Sequence, residues 1–171
     1  MTENYAVIEK IQRADAITQG TAALVKASGE NSRDHGFHED WPTKRTWDFL
    51  YPEEQAAYRR AIAEKLALIH EEISEALGEI RSGRAPLEVY YVDHKGLVGT
   101  KGLEYVEQQY DEQGVPLCKP EGFLVELADA NIRIADLTYL VGDKDGTHLA
   151  QATAIKAEYN ATRPHKHGRK F

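Results

Sequence analysis

The clearest alternation of apolar and polar positions lies in residues 52–83, PEEQAAYRRAIAEKLALIHEEISEALGEIRSG. Apolar residues recur there at steps of three and four positions, which is the spacing of one face of an α-helix. These residues are Ile62, Leu66, Ile69, Ile73, Leu77 and Ile80. Pro52 followed by two glutamates is typical of a helix start, and Ser82-Gly83 is typical of a helix end. The pattern predicts one long helix with a single buried apolar stripe.

Three further helices are predicted on either side of this one. The first covers residues 4 to about 28, and another covers EGFLVELADANIRIADLTYLVG, residues 121–142. The last covers residues 147 to about 162 and ends before a proline. Between the first helix and the long one, ASGENSRDHGFHEDWPTKRTWDF (residues 27–49) has no apolar period. We therefore predict a long loop there, and long ordered loops often carry function.

Residues 86–120 have a different character. PLEVYYVD is rich in β-branched and aromatic residues, and EYVEQQYDEQGVPLCKP is interpreted as two extended pieces around a glycine turn. The glycines of KGLVGTKG, residues 95–102, are interpreted as hairpin connections. The whole chain, residues 1–171, is therefore predicted to be one mainly α domain with a small β-hairpin-like insertion at about 86–120.

Composition narrows the class of protein. The 171 residues are 42% hydrophobic and 29% charged, which is ordinary for a soluble globular domain. No apolar run approaches the roughly 18 residues that a spanning helix needs. The first ten residues lack the features of a secretion signal, so we expect a cytoplasmic protein without a membrane partner. The single cysteine, Cys118, excludes an internal disulfide and cysteine-based zinc motifs.

The charge is acidic overall but basic at the C-terminal end. A net charge of −7 argues against binding to a nucleic acid polymer, which requires a surplus of basic residues. Residues 156–171 nevertheless hold five Lys or Arg and two His against one acid. This basic end indicates either a small anionic ligand or a solvated tail.

Two pairs of acidic residues are the main candidates for chemistry. Glu72 and Glu75 are three positions apart on the long helix, and Glu126 and Asp129 have the same spacing on the next one. If the pairs meet, the repulsion between their carboxylates would be relieved by a divalent cation, and oxygen ligands without cysteine suit Mg²⁺ or Mn²⁺. The alternative is that they are ordinary solvent-facing acids. A di-iron site is not favoured, because no glutamate has a histidine three positions later.

The basic end and one loop offer partners for a nucleotide. Metal-bound carboxylates together with a cationic cluster are the two halves of a polyphosphate site, and no Walker-type glycine loop is present. The candidate phosphate contacts are Lys156, Asn160, Arg163, His165 and His167. The two histidines would otherwise form a His-x-His metal site or belong to a tail. Phe37 and Trp41, in the loop HGFHEDW, are candidates for stacking on a base, or else they pin the loop to the core.

Four segments in this order resemble the MazG-like nucleotide pyrophosphohydrolases of the all-α NTP pyrophosphatase superfamily. They are GFHEDW, LALIHEEISEAL, ELADANIRIAD and KAEYNATRPHKHGRKF. The resemblance implies a four-helix bundle that assembles as a homodimer or a dimer of dimers. It also implies Mg²⁺-dependent cleavage of a nucleoside triphosphate, NTP or dNTP, to the monophosphate and pyrophosphate.

The resemblance also implies roles for particular residues. The Mg²⁺ ligands, for which Mn²⁺ is a possible substitute ion, would be Glu72, Glu75, Glu126 and Asp129. Lys156, Asn160 and Arg163 would face the phosphates and sugar, while Glu71 is a further candidate ligand or water-orienting group. The chain departs from the family in the long segment between its acidic motifs, which holds the β insertion. A phosphoribosyl-nucleotide pyrophosphohydrolase and a nucleotide-binding protein without turnover remain alternatives.

Overall fold

The computed structural model describes residues 2–93, 96–102 and 110–164, and side chains within 14–92 and 110–164. The described chain is mainly helical and includes one small antiparallel sheet, as the sequence predicted. Its helices are α1 (Thr2–Asp34), a short 3-10 helix (Trp47–Phe49), α2 (Pro52–Arg81), α3 (Phe123–Leu140) and α4 (Thr147–Ala161). Its strands are β1 (Glu88–Asp93), β2 (Gly96–Gly102) and β3 (Lys119–Glu121).

The chain divides into two compact units. Residues 1–58 and 135–171 form the first, which we call the terminal unit, and residues 59–134 form the second, the central unit. Helices α2 and α3 therefore each contribute residues to both units. Among the described helices, none combines the length and the apolar character that crossing a membrane requires.

The core of the terminal unit joins α1, α3 and α4. Val25 of α1 is fully buried and packs with Ala135 and Tyr139 of α3, and Leu149 of α4 lies against them. Gly29 lies on the same side of α1, where a Cβ atom would overlap the ring of Tyr139. A side chain at this position would push α1 away from α3.

The first helix is longer than predicted. The expected end near residue 28 and the expected loop at 27–34 are wrong, since α1 continues to Asp34. The reason is that Gly29 serves a close contact between helices and does not end α1, so the polar sequence after it stays helical. The irregular segment begins only at His35, whose N–H donates to the carbonyl of Asn31.

Helix α2 has the predicted bounds, but its apolar stripe is not buried within the single chain. Side chains of the stripe with more than a third of their surface exposed are Leu66, Ile73, Leu77 and Ile80. The prediction of a fully buried stripe is therefore wrong for one copy of the chain. A helical period shows only that residues share a face; it does not show that the same chain covers that face.

The insertion between α2 and α3 forms a three-stranded sheet with the order β2-β1-β3. Strand β1 is antiparallel to both neighbours, and its residues Val89, Tyr90 and Tyr91 are all buried. The interpretation of residues 95–102 as hairpin connections is wrong, because Gly96–Gly102 form β2. Main-chain pairing with β1 suffices for a strand even where the sequence is rich in glycine.

The predicted glycine turn is present later in the insertion. Gly114 has a φ of 80°, a conformation that glycine adopts without strain. The carboxylate of Asp111 accepts the N–H groups of Gln113 and Val115 at 2.9 and 2.8 Å. Strand β3 follows and leads directly into α3.

Candidate metal centre

The junction between β3 and α3 places the second acidic pair. Gly122 links the two elements with a φ of 130°, and a Cβ there would overlap the carbonyl oxygen of Glu88 in β1. The carbonyl of Gly122 accepts the N–H groups of Val125 and Glu126, at 2.8 and 3.1 Å. Glu126 therefore lies in the first turn of α3, where the helix dipole favours a negative charge.

Carboxylates from α2 and α3 meet within the central unit. Glu72, Glu126 and Asp129 each offer an oxygen, and these oxygens lie within 4.8 Å of one another. Glu72 and Glu126 are buried, with 5% and 2% of their surface exposed, and Asp129 is partly buried. Three of the four predicted metal ligands are thus brought together, from both acidic motifs.

Glu75 and Glu71, the other acids near Glu72 on α2, are exposed to solvent. Glu75 is exposed and is not part of this three-residue group, although its charge contributes to the raised pKa values of Glu126 and Lys119. It therefore borders the group. Glu71 is also exposed to solvent.

Glu126 is the least favourably placed carboxylate of the group. Burial, above all, raises its pKa to about 8, and a side-chain hydrogen bond with Glu121 together with the charges of Glu121 and Glu75 adds to the shift. A hydrogen bond between two carboxyl groups requires a shared proton. The Oε2 atom of Glu126 is buried and has no hydrogen-bond partner among the described residues. Glu126 is thus an oxygen donor whose negative charge and second oxygen are both poorly satisfied by the chain itself.

Asp129 shares part of this environment. Its pKa is raised by burial first and by the charge of Glu72 second, while Lys119 and Arg133 act in the opposite direction. Burial therefore contributes more to this shift than the charge of Glu72 or of either cation.

Arg133 contacts a member of the acidic group, and Lys119 contacts Glu121 beside it. Arg133 of α3 donates from Nε to Oε1 of Glu72 at 2.5 Å, and Lys119 of β3 lies with Nζ 3.0 Å from Oε1 of Glu121. The hydrogen bond to Glu121 is the main cause of the raised pKa of Lys119. Both basic side chains are largely or partly exposed, so the acids are only partly neutralised.

Sequence reasoning missed Glu121, Lys119 and Arg133. A signal existed for Arg133, because it lies four residues after Asp129 and therefore on the same helix face. Lys119 and Glu121 are two positions apart on β3, so their side chains lie on the same side of the strand. No pattern in the sequence indicates that this strand lies beside α3.

The group fits Mg²⁺ or Mn²⁺. All three donors are carboxylate oxygens, the ligands that these hard cations prefer, and one buried oxygen has no hydrogen-bond partner within the described part of the chain. A divalent cation would also take the place of the proton that Glu121 and Glu126 share. The arrangement therefore has the donors and the charge deficit of a divalent cation site.

The other predicted site residues belong to the terminal unit. Lys156 and Asn160 are exposed on α4, and Arg163 is exposed just after it. The basic groups of Lys156 and Arg163 lie 4.9 and 6.0 Å from the ring centroid of Tyr159. His165 and His167, which were predicted to contact phosphate, lie outside the described residues.

The two aromatic candidates in the loop after α1 have different surroundings. Phe37 is 66% exposed. Trp41 is partly buried and packs against Tyr58 in an edge-to-face arrangement, with ring centroids 5.1 Å apart. The contact of Trp41 agrees with the alternative that it pins the loop, and base stacking stays a prediction for both residues.

Comparison with known proteins finds no relative. No family model, no curated protein and no solved structure matches this chain. The resemblance in the four sequence segments therefore stays a prediction, and the functional interpretation depends on the geometry of the acidic group together with those segments.

Proposed function

We propose that this chain is a Mg²⁺-dependent pyrophosphohydrolase that converts a nucleoside triphosphate, NTP or dNTP, to the monophosphate and pyrophosphate. The observation that carries the proposal is the convergence of Glu72, Glu126 and Asp129, with ligand atoms within 4.8 Å. These residues come from LALIHEEISEAL and ELADANIRIAD, two of the four segments on which the resemblance to MazG-like enzymes is based. The proposal includes the four-helix bundle of that family and a cytoplasmic location.

The acidic residues would hold the cation and so place the triphosphate. Glu72, Glu126 and Asp129 would be its ligands, and Glu75 at the border would complete the set or orient water. Mg²⁺ in such a site supplies charge neutralisation for phosphate oxygens and lowers the pKa of a water ligand. Burial of Glu72 and Glu126 limits competition from bulk water and strengthens the interaction of their charges with a cation.

The proposed reaction is a hydrolysis. The oxygen of water forms a bond to the α-phosphorus, and the bond from that phosphorus to the bridging oxygen breaks. Pyrophosphate leaves with the bonding electrons, and the proton lost by water is taken up by an acid of the group or by solvent. Glu75 is exposed and beside the group, which makes it a candidate to accept this proton.

Basic residues would stabilise the charge that develops on the phosphates. Lys119 lies beside the acids and is largely exposed, so its ammonium group can contact a phosphate oxygen. Lys156, Asn160 and Arg163 remain predicted phosphate and sugar contacts. They belong to the terminal unit, whereas the acids belong to the central unit.

Self-association is part of the proposal. The exposed apolar side chains of α2 would be covered by a second copy of the chain, as in a homodimer or a dimer of dimers. Large apolar side chains exposed at helical spacing are typical of interfaces between subunits. The mass of the particle in solution measures this directly, and a monomer at micromolar concentration would contradict it.

Substitution of single carboxylates tests the assignment of the ligands. We expect Glu72→Gln and Glu126→Gln each to abolish Mg²⁺ binding in calorimetry and to abolish pyrophosphate release. Glu64→Gln is the matched control, since Glu64 is an exposed acid on the same helix. Glu71→Gln decides the role of Glu71 by the same two measurements. Retention of most activity in Glu72→Gln would refute the assignment.

A further inference from the structure

The terminal unit contains a large cavity, and of the predicted substrate contacts that the structure describes, Trp41 lines it. Its volume is about 780 Å³, within the range of small-molecule sites. Its walls come from the end of α1, from the loop at residues 38–46 and from residues 139–144, where α3 ends. All three segments belong to the same unit.

The cavity is lined by more basic than acidic residues. Among the residues that the structure describes, four Lys or Arg line it against one acid, Glu39. The basic residues are Arg33, Lys44, Arg45 and Lys144. Arg45 is paired with Glu54 at 3.2 Å, so it contributes less to the charge of the cavity than the others. Arg33 also contacts an acid, Asp34, but both of these side chains are more than half exposed, where an ion pair is weak.

Two of the basic residues are held by one buried ring. Arg33 donates from Nη1 to the hydroxyl of Tyr139 at 3.1 Å, and Nζ of Lys144 lies 3.8 Å from the centroid of the same ring. Tyr139 itself is only 7% exposed. The two cations therefore contact the same buried core residue at one wall of the cavity.

The charges around Lys144 are mixed in sign. Partial burial lowers the pKa of Lys144, the charge of Asp136 raises it, and the charge of Arg33 lowers it by less than Asp136 raises it. The carboxylate of Asp136 is engaged by His38, whose Nε2 lies 2.7 Å from its Oδ1. An anion that contacts both Arg33 and Lys144 would accept charge-assisted hydrogen bonds from the two groups.

The remaining wall is aromatic and apolar. Trp41, which is partly buried, lines the cavity, and so do Leu140 and Val141. The ring of His38 lies 5.8 Å from that of Tyr139. A ligand that fills the cavity therefore needs a flat or apolar part as well as an anionic group.

We propose that this cavity binds a small organic phosphate with a planar ring, of the size of a nucleoside monophosphate. Arg33 and Lys144 contact the phosphate, Lys44 lies at the same cavity for a further contact, and the ring lies against Trp41. The inference depends only on the cavity and not on the proposed hydrolysis at the acidic group. Its test is therefore carried out without Mg²⁺.

The test measures binding of AMP, GMP, CMP, UMP and inorganic phosphate to the full chain by calorimetry in EDTA. We expect at least one nucleotide to bind more tightly than inorganic phosphate. Lys144→Gln and Arg33→Gln should each weaken its binding by about tenfold or more, the usual effect of losing a charge-assisted hydrogen bond. Lys26→Gln is the control, because Lys26 is an exposed lysine on α1 that does not line the cavity.

Three results would overturn the proposal. They are no saturable binding of any nucleotide at millimolar concentration, inorganic phosphate binding as tightly as the nucleotides, and equal affinities for the parent and the Lys144→Gln variant. Arg33→Gln also removes a hydrogen bond to Tyr139, so thermal melting is measured for each variant. If Arg33→Gln does not fold, Lys144→Gln decides the outcome alone, since Lys144 lies over the face of the Tyr139 ring and does not share the Arg33 hydrogen bond to its hydroxyl.

Discussion

The guanidinium of Arg133 donates from Nε to Oε1 of Glu72 at 2.5 Å. A cation on α3 thus contacts a buried carboxylate on α2. The side chain of Glu72 is 7% exposed and that of Arg133 is 43% exposed. Arg133 lies one helical turn beyond Asp129, so the same face of α3 carries an acid and the cation that partly neutralises the group. This pair shows how the chain itself limits the repulsion among its clustered acids.

Loss of this cation should destabilise the protein. Arg133→Gln leaves Glu72 buried without its charged partner, and we expect the free energy of unfolding in EDTA to fall by about 1–3 kcal/mol. This loss of stability is smaller than that from breaking a fully buried ion pair, because Arg133 is partly exposed to solvent. Thermal and urea unfolding measure it, and excess Mg²⁺ should recover part of the loss. Arg81→Gln, at an exposed arginine of α2, is the control; equal stability of the two variants would contradict the account.

Substitution of Glu126 should have the opposite effect on stability. Glu126→Gln removes a charge that is buried among other acids, so we expect a higher melting temperature than the parent in EDTA at pH 8.5 to 9, the range above its raised pKa of about 8. The parent should gain stability from Mg²⁺, by about 2.7 kcal/mol at a concentration one hundred times Kd, while the variant should not. A variant that is less stable in EDTA and gains as much from Mg²⁺ as the parent would refute the role of Glu126.

The pH dependence of stability follows from the same residue. The pKa of Glu126 is raised from 4.5 to about 8 in the folded chain, so between these values the folded state binds more protons than the unfolded state. Stability in EDTA should therefore fall as the pH rises through this window, by at most about 1.4 kcal/mol per pH unit from this group. Urea unfolding of the parent and of Glu126→Gln across the range isolates the contribution. Parallel curves for the two proteins would contradict it.

The link between β3 and α3 should tolerate no side chain. In Gly122→Ala the new Cβ would overlap the carbonyl oxygen of Glu88 at a φ of 130°, which disturbs both the sheet and the first turn that holds Glu126. We expect the free energy of unfolding to fall by about 2 kcal/mol or more and Mg²⁺ to bind more weakly than to the parent. Gly78→Ala is the control, since a Cβ within α2 at that position has open space and should stabilise the helix by about 0.5–1 kcal/mol.

The sequence predicted the helices better than their surroundings. The helical spacing of apolar residues and the residues typical of helix ends were enough to predict the bounds of α2, α3 and α4, because both signals are local in the sequence. The end of α1 was wrong because Gly29 serves a contact with Tyr139, a residue far along the chain. Strand β2 was missed because its pairing with β1 depends on main-chain hydrogen bonds that glycine also forms.

The candidate site was predicted in part. The three-residue spacing of Glu72–Glu75 and Glu126–Asp129 was readable, since it depends only on the helix period. The border position of Glu75 was not readable, because it depends on how two helices face each other within the central unit. Glu121 was missed for a related reason: it reaches Glu126 from a strand, and no periodic signal joins a strand to a distant helix face.

The most direct test of the central claim is pyrophosphate release from the eight common NTPs and dNTPs, measured with Mg²⁺ and with EDTA. The account predicts release from at least one nucleotide with Mg²⁺, none with EDTA, and none from Glu72→Gln under either condition. Absence of release from all eight nucleotides in Mg²⁺, or equal release in EDTA, would contradict it.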